Sequence, residues 1–308
     1  MEACNGVSTL MDPNVQLVAS DFDTSLQDRL DYQQAVGSIM YAMLGTRPDL
    51  AHSISTLSKF CTNPSPDHAA AVKRVFRYWN KTLDVRITYG GSQNIAVQEA
   101  LFKNTGTKDL ANGLTGLFGF TDSDWAGDKD TRKSTSGFLF TLYGGAISWK
   151  STKQSVVMTS STEAEYIACS EAAKEALWLR RVMTEIRGTP TMEPTEYSHE
   201  SEARKIVETL LSSQSPSERP IPAKEPQIIF ADNQGAIQLS KNPQHHNRTK
   251  HIDVKYHFIR ESCQQGLIQL VHIPTNEMVA DILTKSLPRD KHEKHMKGMG
   301  MMDSVGVR

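Results

Sequence analysis

A mixed α/β fold is predicted by three observations in this sequence. Two short apolar runs, Leu117–Phe120 and Gln227–Ala231, lead into the acids Asp122 and Asp232, as buried strands opening at a sheet end would. Ser160-Ser161-Thr162-Glu163 forms a capping box, with Ser160 at the N-cap and Glu163 three residues on, ahead of a long helical stretch. Across residues 114–296 the order reads β-β-β-α-β-α-β-α, which predicts a mixed sheet with flanking helices, preceded by a small helical module.

The chain has 308 residues, 38% hydrophobic and 22% charged, enough for one large globular domain or two ordinary ones. No apolar run is long enough to span a bilayer and no secretory leader is present, so no membrane partner is expected. Cys4, Cys61, Cys169 and Cys263 are scattered without a CxxC pair. That fits reduced thiols in an intracellular protein, cytoplasmic or nuclear, and argues against a zinc knuckle or a disulfide framework. A net charge of −1 leaves any nucleic-acid binding to local basic patches.

Residues 1–28, polar and broken by Pro13, read as an extended leader. Val36, Ile39, Met40, Met43 and Leu44 form an apolar helical stripe that starts near Leu30. Thr46-Arg47-Pro48-Asp49 interrupts it, and Pro48 suits the first turn of a second helix reaching about Phe60. A third helix, after Asn63-Pro64-Ser65-Pro66, carries Val72, Val75, Phe76 and Trp79, with Lys73, Arg74 and Arg77 on a solvated flank. The strand Val85–Tyr89 closes this 29–90 module, and the Gly-, Asn- and Thr-rich residues 91–113 read as a linker.

The 114–296 unit continues with a strand at Gly137–Leu142 and strand-like runs at Ala146–Ser151 and Gln154–Met158. The helix behind Ser160 runs to about Ile186, and Ala164, Ala168, Ala172 and Ala176 form a smooth row on it for packing on a sheet. Residues 188–226, with six prolines, read as a surface insertion, partly disordered. Asn233–Lys241 and Val254–Gln264 read as helices and Leu267–Ile273 as a fifth strand. Asn276–Asp281 enters a last helical piece, with Pro288–Met296 trailing.

Four acids stand out by position. Asp122 and Asp232 lie at strand ends, Glu165 one turn into a helix, and Asp281 in the terminal helix. They are hard oxygen ligands without an accompanying Cys, the set that Mg²⁺ or Mn²⁺ prefers. Two such ions about 3.5–4 Å apart can activate a water and stabilise a leaving oxygen in phosphodiester cleavage. Each acid alone also reads as a cap or a surface acid. Strand alternation puts Asp124 on the same face as Asp122 and does not separate the two. Residues 241–260 hold Lys241, Arg248, Lys250, Lys255 and Arg260 against the single acid Asp253. Their four histidines, His245, His246, His251 and His257, lack a zinc spacing, and the segment reads as a phosphate-tracking surface or a solvated helix.

The wording TDSDWAGD, TRKSTSG, SSTEAEYIA, ADNQGAI, RTKHIDVKYHF and ADILTK resembles the ribonuclease H of copia-type LTR retrotransposon Pol polyproteins. VGSIMYAMLGTRPDLAHSISTLSKF and VKRVFRYWNKT are similar to the segment after the polymerase palm of the same polyproteins. Together the likeness spans about residues 1–90 and 114–290. It implies a ribonuclease H-like fold with a five-stranded mixed sheet, and a thumb- or connection-like reverse transcriptase module at 29–90. It implies an endonuclease that hydrolyses the RNA strand of RNA–DNA hybrids with two Mg²⁺ or Mn²⁺ ions. Asp122, Glu165, Asp232 and Asp281 are then the catalytic metal ligands, and Glu163 is left to the capping box. His272 falls where relatives carry a histidine near the last acid, and is either an aid to product release or a plain strand residue. Arg248, Lys250 and Lys255 are the expected nucleic-acid contacts. The implied partners are the hybrid and the rest of a reverse transcriptase, and the implied location is a cytoplasmic retrotransposon particle or the nucleus.

Two departures from the family bear on this expectation. No YxDD-type acidic pair occurs, so no polymerase activity is expected, and the sequence is expected to be a truncated product or gene fragment. The 188–226 insertion is longer than in typical relatives. A catalytically idle fragment that only binds nucleic acid or a polymerase partner is the alternative, and a structure-specific DNA nuclease of the same fold is a third reading. Retention of the four acids favours the active enzyme.

Overall fold

The structure is a computed structural model and describes residues 4–90, 116–186, 226–241 and 250–303. The linker expected at 91–113 lies outside the described residues, as does the insertion expected at 188–226 except for Pro226.

Three helices come first: α1 (Leu26–Gly45), α2 (Ala51–Ser58) and α3 (Pro66–Lys81). Ser25 caps α1 by accepting the Asp28 N–H. Ser65 caps α3, with Pro66 at its start, and the His68 ring accepts the Ser65 N–H in return. A histidine thus performs the reciprocal job that Glu or Gln does in most capping boxes. Each helix buries one stripe: Tyr32, Val36 and Ile39 on α1, Ile54 and Leu57 on α2, and Val72, Val75 and Tyr78 on α3.

The central sheet has five strands: β2 (Leu117–Ser123), β3 (Thr135–Leu142), β4 (Gly145–Lys153), β5 (Gln227–Ala231) and β6 (Ile268–His272). Their order is β4-β3-β2-β5-β6. The β2–β3 and β3–β4 pairs are antiparallel, whereas β2–β5 and β5–β6 are parallel. This mixed sheet with flanking helices is consistent with a ribonuclease H-like fold. Gln154–Met158, expected to be strand-like, is not a strand. β4 ends at Lys153, and the buried Gln154 amide donates to Ser136 Oγ at 2.8 Å and to Ala164 O at 3.0 Å, turning the chain off the sheet. The last helical entry is likewise two short 3₁₀ turns, Thr275–Glu277 and Val279–Leu283.

Both faces of the sheet are covered. On one face lie α4 (Ser161–Ile186), α5 (Gln234–Lys241) and α6 (Lys250–Gln264). Ala172, Ala173 and Ala176 of α4 pack with Phe138, Phe140 and Ile229 of the sheet and with Ile237 and Ile259 of the other helices. On the other face, Phe118, Phe120, Leu139 and Phe230 share one continuous core with the buried stripes of α1–α3 and with Ile282, Leu283 and Met299. The early helices are therefore a layer of the same three-layer body. A buried polar cluster ties them to α7 (Arg289–Gly298). Arg47 donates to both Asp49 oxygens at 2.9 and 2.8 Å, and the Tyr78 hydroxyl donates to Asp49 Oδ2 at 2.8 Å and lies 2.9 Å from His292 Nε2. β1 (Val85–Ile87) is shorter than the expected Val85–Tyr89 and pairs antiparallel with a strand the sequence did not announce, β7 (Met301–Asp303). The leader is mostly exposed, but Leu10 and Met11 are buried in the same core.

Candidate metal centre

Parallel pairing of β2 with β5 sets the geometry. Phe118 pairs with Ile228 and Phe120 with Phe230, so the register continued by two residues brings Asp122 level with Asp232. Carboxyl ends of adjacent parallel strands are where open α/β sheets place ligands. Glu165, one turn into α4, reaches the same edge from the layer above. Ligand oxygens of Asp122, Glu165 and Asp232 lie within 4.8 Å of one another.

Asp281 arrives from the other face on the Val279–Leu283 turn, and it joins the others through a lysine. Lys285 Nζ is 3.0 Å from Asp281 Oδ1 and 3.3 Å from Asp122 Oδ2. The Thr284 hydroxyl also donates to Asp122 Oδ2. The turn can approach this closely because its neighbour on β3 is a glycine. A Cβ on Gly137 would stand 2.8 Å from both Leu283 Cβ and Thr284 Cγ2.

The electrostatics follow from burial and crowding. Burial is the largest cause holding Glu165 well above the usual carboxylate range, and the charges of Asp122 and Asp232 add to it. Asp122 is raised by burial and by Asp232, against the pull of Lys285 and Thr284. Asp281 is pushed up to about 6 by burial first and Asp122 second. Burial works against the Lys285 ammonium, but Asp122 and Asp281 together hold its proton above the ordinary lysine range. Glu165 Oε2 is buried without a hydrogen-bond partner among the described residues. A buried carboxylate oxygen left unpaired is costly unless something binds it.

The two near neighbours in sequence do other work. Glu163 Oε2 accepts the Thr159 N–H at 2.9 Å and the Thr159 hydroxyl, and the Glu163 N–H donates to Ser160 Oγ at 3.2 Å. It faces the start of α4, reaching back to Thr159 one residue beyond the expected partner. Asp124 Oδ1 accepts the Thr135 N–H and so closes the β2–β3 hairpin, and burial pushes it up to about 6. Asp124 thus has a backbone partner on β3, whereas Asp122 meets Thr284 and Lys285.

His272, the last residue of β6, pairs with Ala231, one residue before Asp232, and is exposed. Arg248 lies outside the described residues, and Lys250 and Lys255 lie on the backbone of α6. Sequence reasoning missed Thr284 and Lys285, although the Asp281–Lys285 spacing of four is the one at which opposite charges meet on a helical turn. It also missed Asp128, which holds Lys59, just past the end of α2, at 2.5 Å and Lys153 of β4 at 2.7 Å. These two lysines, with His52, Asp124, Thr284 and Lys285, line a cleft of about 260 Å³.

No protein-family model matches the chain. The Retrovirus-related Pol polyprotein from transposon TNT 1-94 of Nicotiana tabacum is 37% identical over 306 residues, 98% of this chain and 19% of that protein. The corresponding polyprotein from transposon RE1 of Arabidopsis thaliana is 33% identical over 295 residues, 96% of this chain and 16% of that protein. Secreted RxLR effector protein 161 of Plasmopara viticola is 48% identical over 148 residues, 48% of this chain and 90% of that protein. The chain spans less than a fifth of the length of the two polyproteins.

Proposed function

The chain belongs to the Pol polyproteins of copia-type retrotransposons, and on that footing we propose that it is their ribonuclease H part, a metal-dependent endonuclease on RNA–DNA hybrids. Residues 114–296 form the nuclease unit in this reading, and residues 29–90 are the module that follows the polymerase palm.

One observation carries the reading: three carboxylates from three separate elements converge at the carboxyl ends of parallel strands, with an unpartnered buried oxygen on Glu165. The donor set fits a hard divalent ion such as Mg²⁺ or Mn²⁺. It is all carboxylate, without thiolate or imidazole, and like charges this close repel unless a cation is shared. Asp122, Glu165 and Asp232 would hold the ion, with Asp281 beside them. When bound, a pair of such ions supplies an activated water and charge stabilisation at the leaving oxygen of a phosphodiester. The chain's own residues prepare the place. Thr284 orients the Asp122 carboxylate, Gly137 lets the Asp281 turn lie against β3, and Glu165 on α4 is buried from bulk water. His272 stands at the same sheet end, exposed and available to a leaving strand.

Cleavage of a fluorescent RNA–DNA hybrid with and without Mg²⁺ tests the proposal. Asp232→Asn keeps the shape and removes a charge. It is expected to abolish cleavage and to stabilise the metal-free protein slightly, because repulsion drops. Glu163→Gln keeps the cap and should retain activity within a few fold. Normal cleavage by Asp232→Asn would sink the metal-site reading, and loss of cleavage in Glu163→Gln with retention in Glu165→Gln would mean the other acid of α4 is the ligand.

A further inference from the structure

The four acids are not equivalent. Asp122, Glu165 and Asp232 form one close set of ligand oxygens. Asp281 is held by Lys285 instead, whose ammonium also reaches Asp122. The ammonium brings this pair of carboxylates one positive charge, where a shared divalent ion would bring two. Glu165 Oε2, by contrast, is buried and has no partner among the described residues. One cation place is served by the chain, and the other calls for a cation from solution.

Resting on the metal-centre reading above, we propose that Lys285 is the resident cation of the Asp122–Asp281 pair. The nucleic-acid-free protein then takes up one divalent ion, on Asp122, Glu165 and Asp232, and admits a second only when Lys285 leaves.

Lys285 has somewhere to go. Its side chain is 36% exposed and lines the 260 Å³ cleft beside Asp124 and Ser286. A phosphate entering that cleft offers the ammonium a new partner and frees Asp122 and Asp281 together. Arrival of the nucleic-acid backbone and loading of the second ion are thereby coupled through one side chain. Lys285 acts through the metal ligands and is a positioning residue, so its test must count ions as well as turnovers.

The full chain is titrated calorimetrically with Mn²⁺ in the absence of nucleic acid, and bound Mn²⁺ is counted by electron paramagnetic resonance. Wild type and Lys285→Arg should each bind one ion per chain, and Lys285→Met two. Melting curves and circular dichroism establish that each variant is folded. If Lys285→Met does not fold, Lys285→Gln takes its place, and the wild-type count remains a test by itself. Two ions in the wild type, or one in a folded Lys285→Met, overturns the proposal while leaving the metal centre standing. Failure of the wild type to bind Mn²⁺ at all overturns the metal centre itself.

Discussion

Gly137→Ala is the sharpest perturbation the structure offers, because it adds one methyl group opposite Asp122. That carbon would stand 2.8 Å from Leu283 Cβ and 2.8 Å from Thr284 Cγ2. Carbon atoms rest about 3.5–4.0 Å apart, so the turn must retreat by about 1 Å. The retreating segment carries Asp281, Thr284 and Lys285 at once. Overpacking of this kind costs about 1–3 kcal/mol. At about 2–4 °C per kcal/mol, the melting temperature should fall by several degrees. A misplacement of about 1 Å at a reacting centre can lower rate by about 10²-fold. Gly37→Ala is the control: nothing lies within 4 Å of its Cβ and it sits inside α1, so helix propensity alone should stabilise by up to about 1 kcal/mol. Thermal melts and hybrid cleavage on both variants decide the matter. A Gly137→Ala protein that melts and cleaves like wild type would show that contact with β3 does not position the Asp281 turn.

Stability of the metal-free protein should depend on pH in a definite direction. Asp281 and Asp124 have folded values of about 6, above the unfolded carboxylate range, so their contribution is fully present below about pH 4 and is lost as pH rises through about 6. Urea midpoints should therefore decline across that window. A flat profile across it would contradict this. Asp128→Asn should cost about 1–3 kcal/mol, below the value for a fully buried pair because Lys59 and Lys153 remain partly solvated. An unchanged urea midpoint for that variant would mean the two lysines are satisfied elsewhere.

Much of the sheet was legible because its strands are short apolar runs with hard stops. The apolar run at 117–120 and Gln227–Ala231 announce themselves, and the acids that follow mark where the strands meet solvent. Val156, Val157 and Met158 imitate a strand by composition alone, yet Val157 is exposed and the run lies off the sheet. Where β4 ends, the Gln154 side chain reaches Ser136 and Ala164, contacts that no local pattern encodes. The helical stripes were readable too, but a stripe says only that a face is buried, not against what. Packing of α1–α3 on the sheet depends on Phe118, Phe120 and Met299, residues far along the chain. In the centre, position along strand and helix singled out the acids. It could not show that a lysine stands between two of them, because Lys285 is read locally as one more surface cation.

The pairing of β1 with β7 also dictates an order of assembly. Helices α1–α3 leave the ribosome before the sheet, but the apolar surface they bury is completed by Met296, Met299 and Met301. The stretch from Lys81 to Asp303 takes roughly 10–45 s to synthesise at ordinary translation rates. Throughout that interval the nascent helices hold Tyr78 and Asp49 without His292, and β1 without its only strand partner among the described residues. Contacts of such high sequence separation are slow to form, because loop closure precedes any gain from them. The helical layer, made before the sheet, is thus sealed after it, and a ribosome stalled before residue 289 would carry a helical layer still lacking α7 and β7.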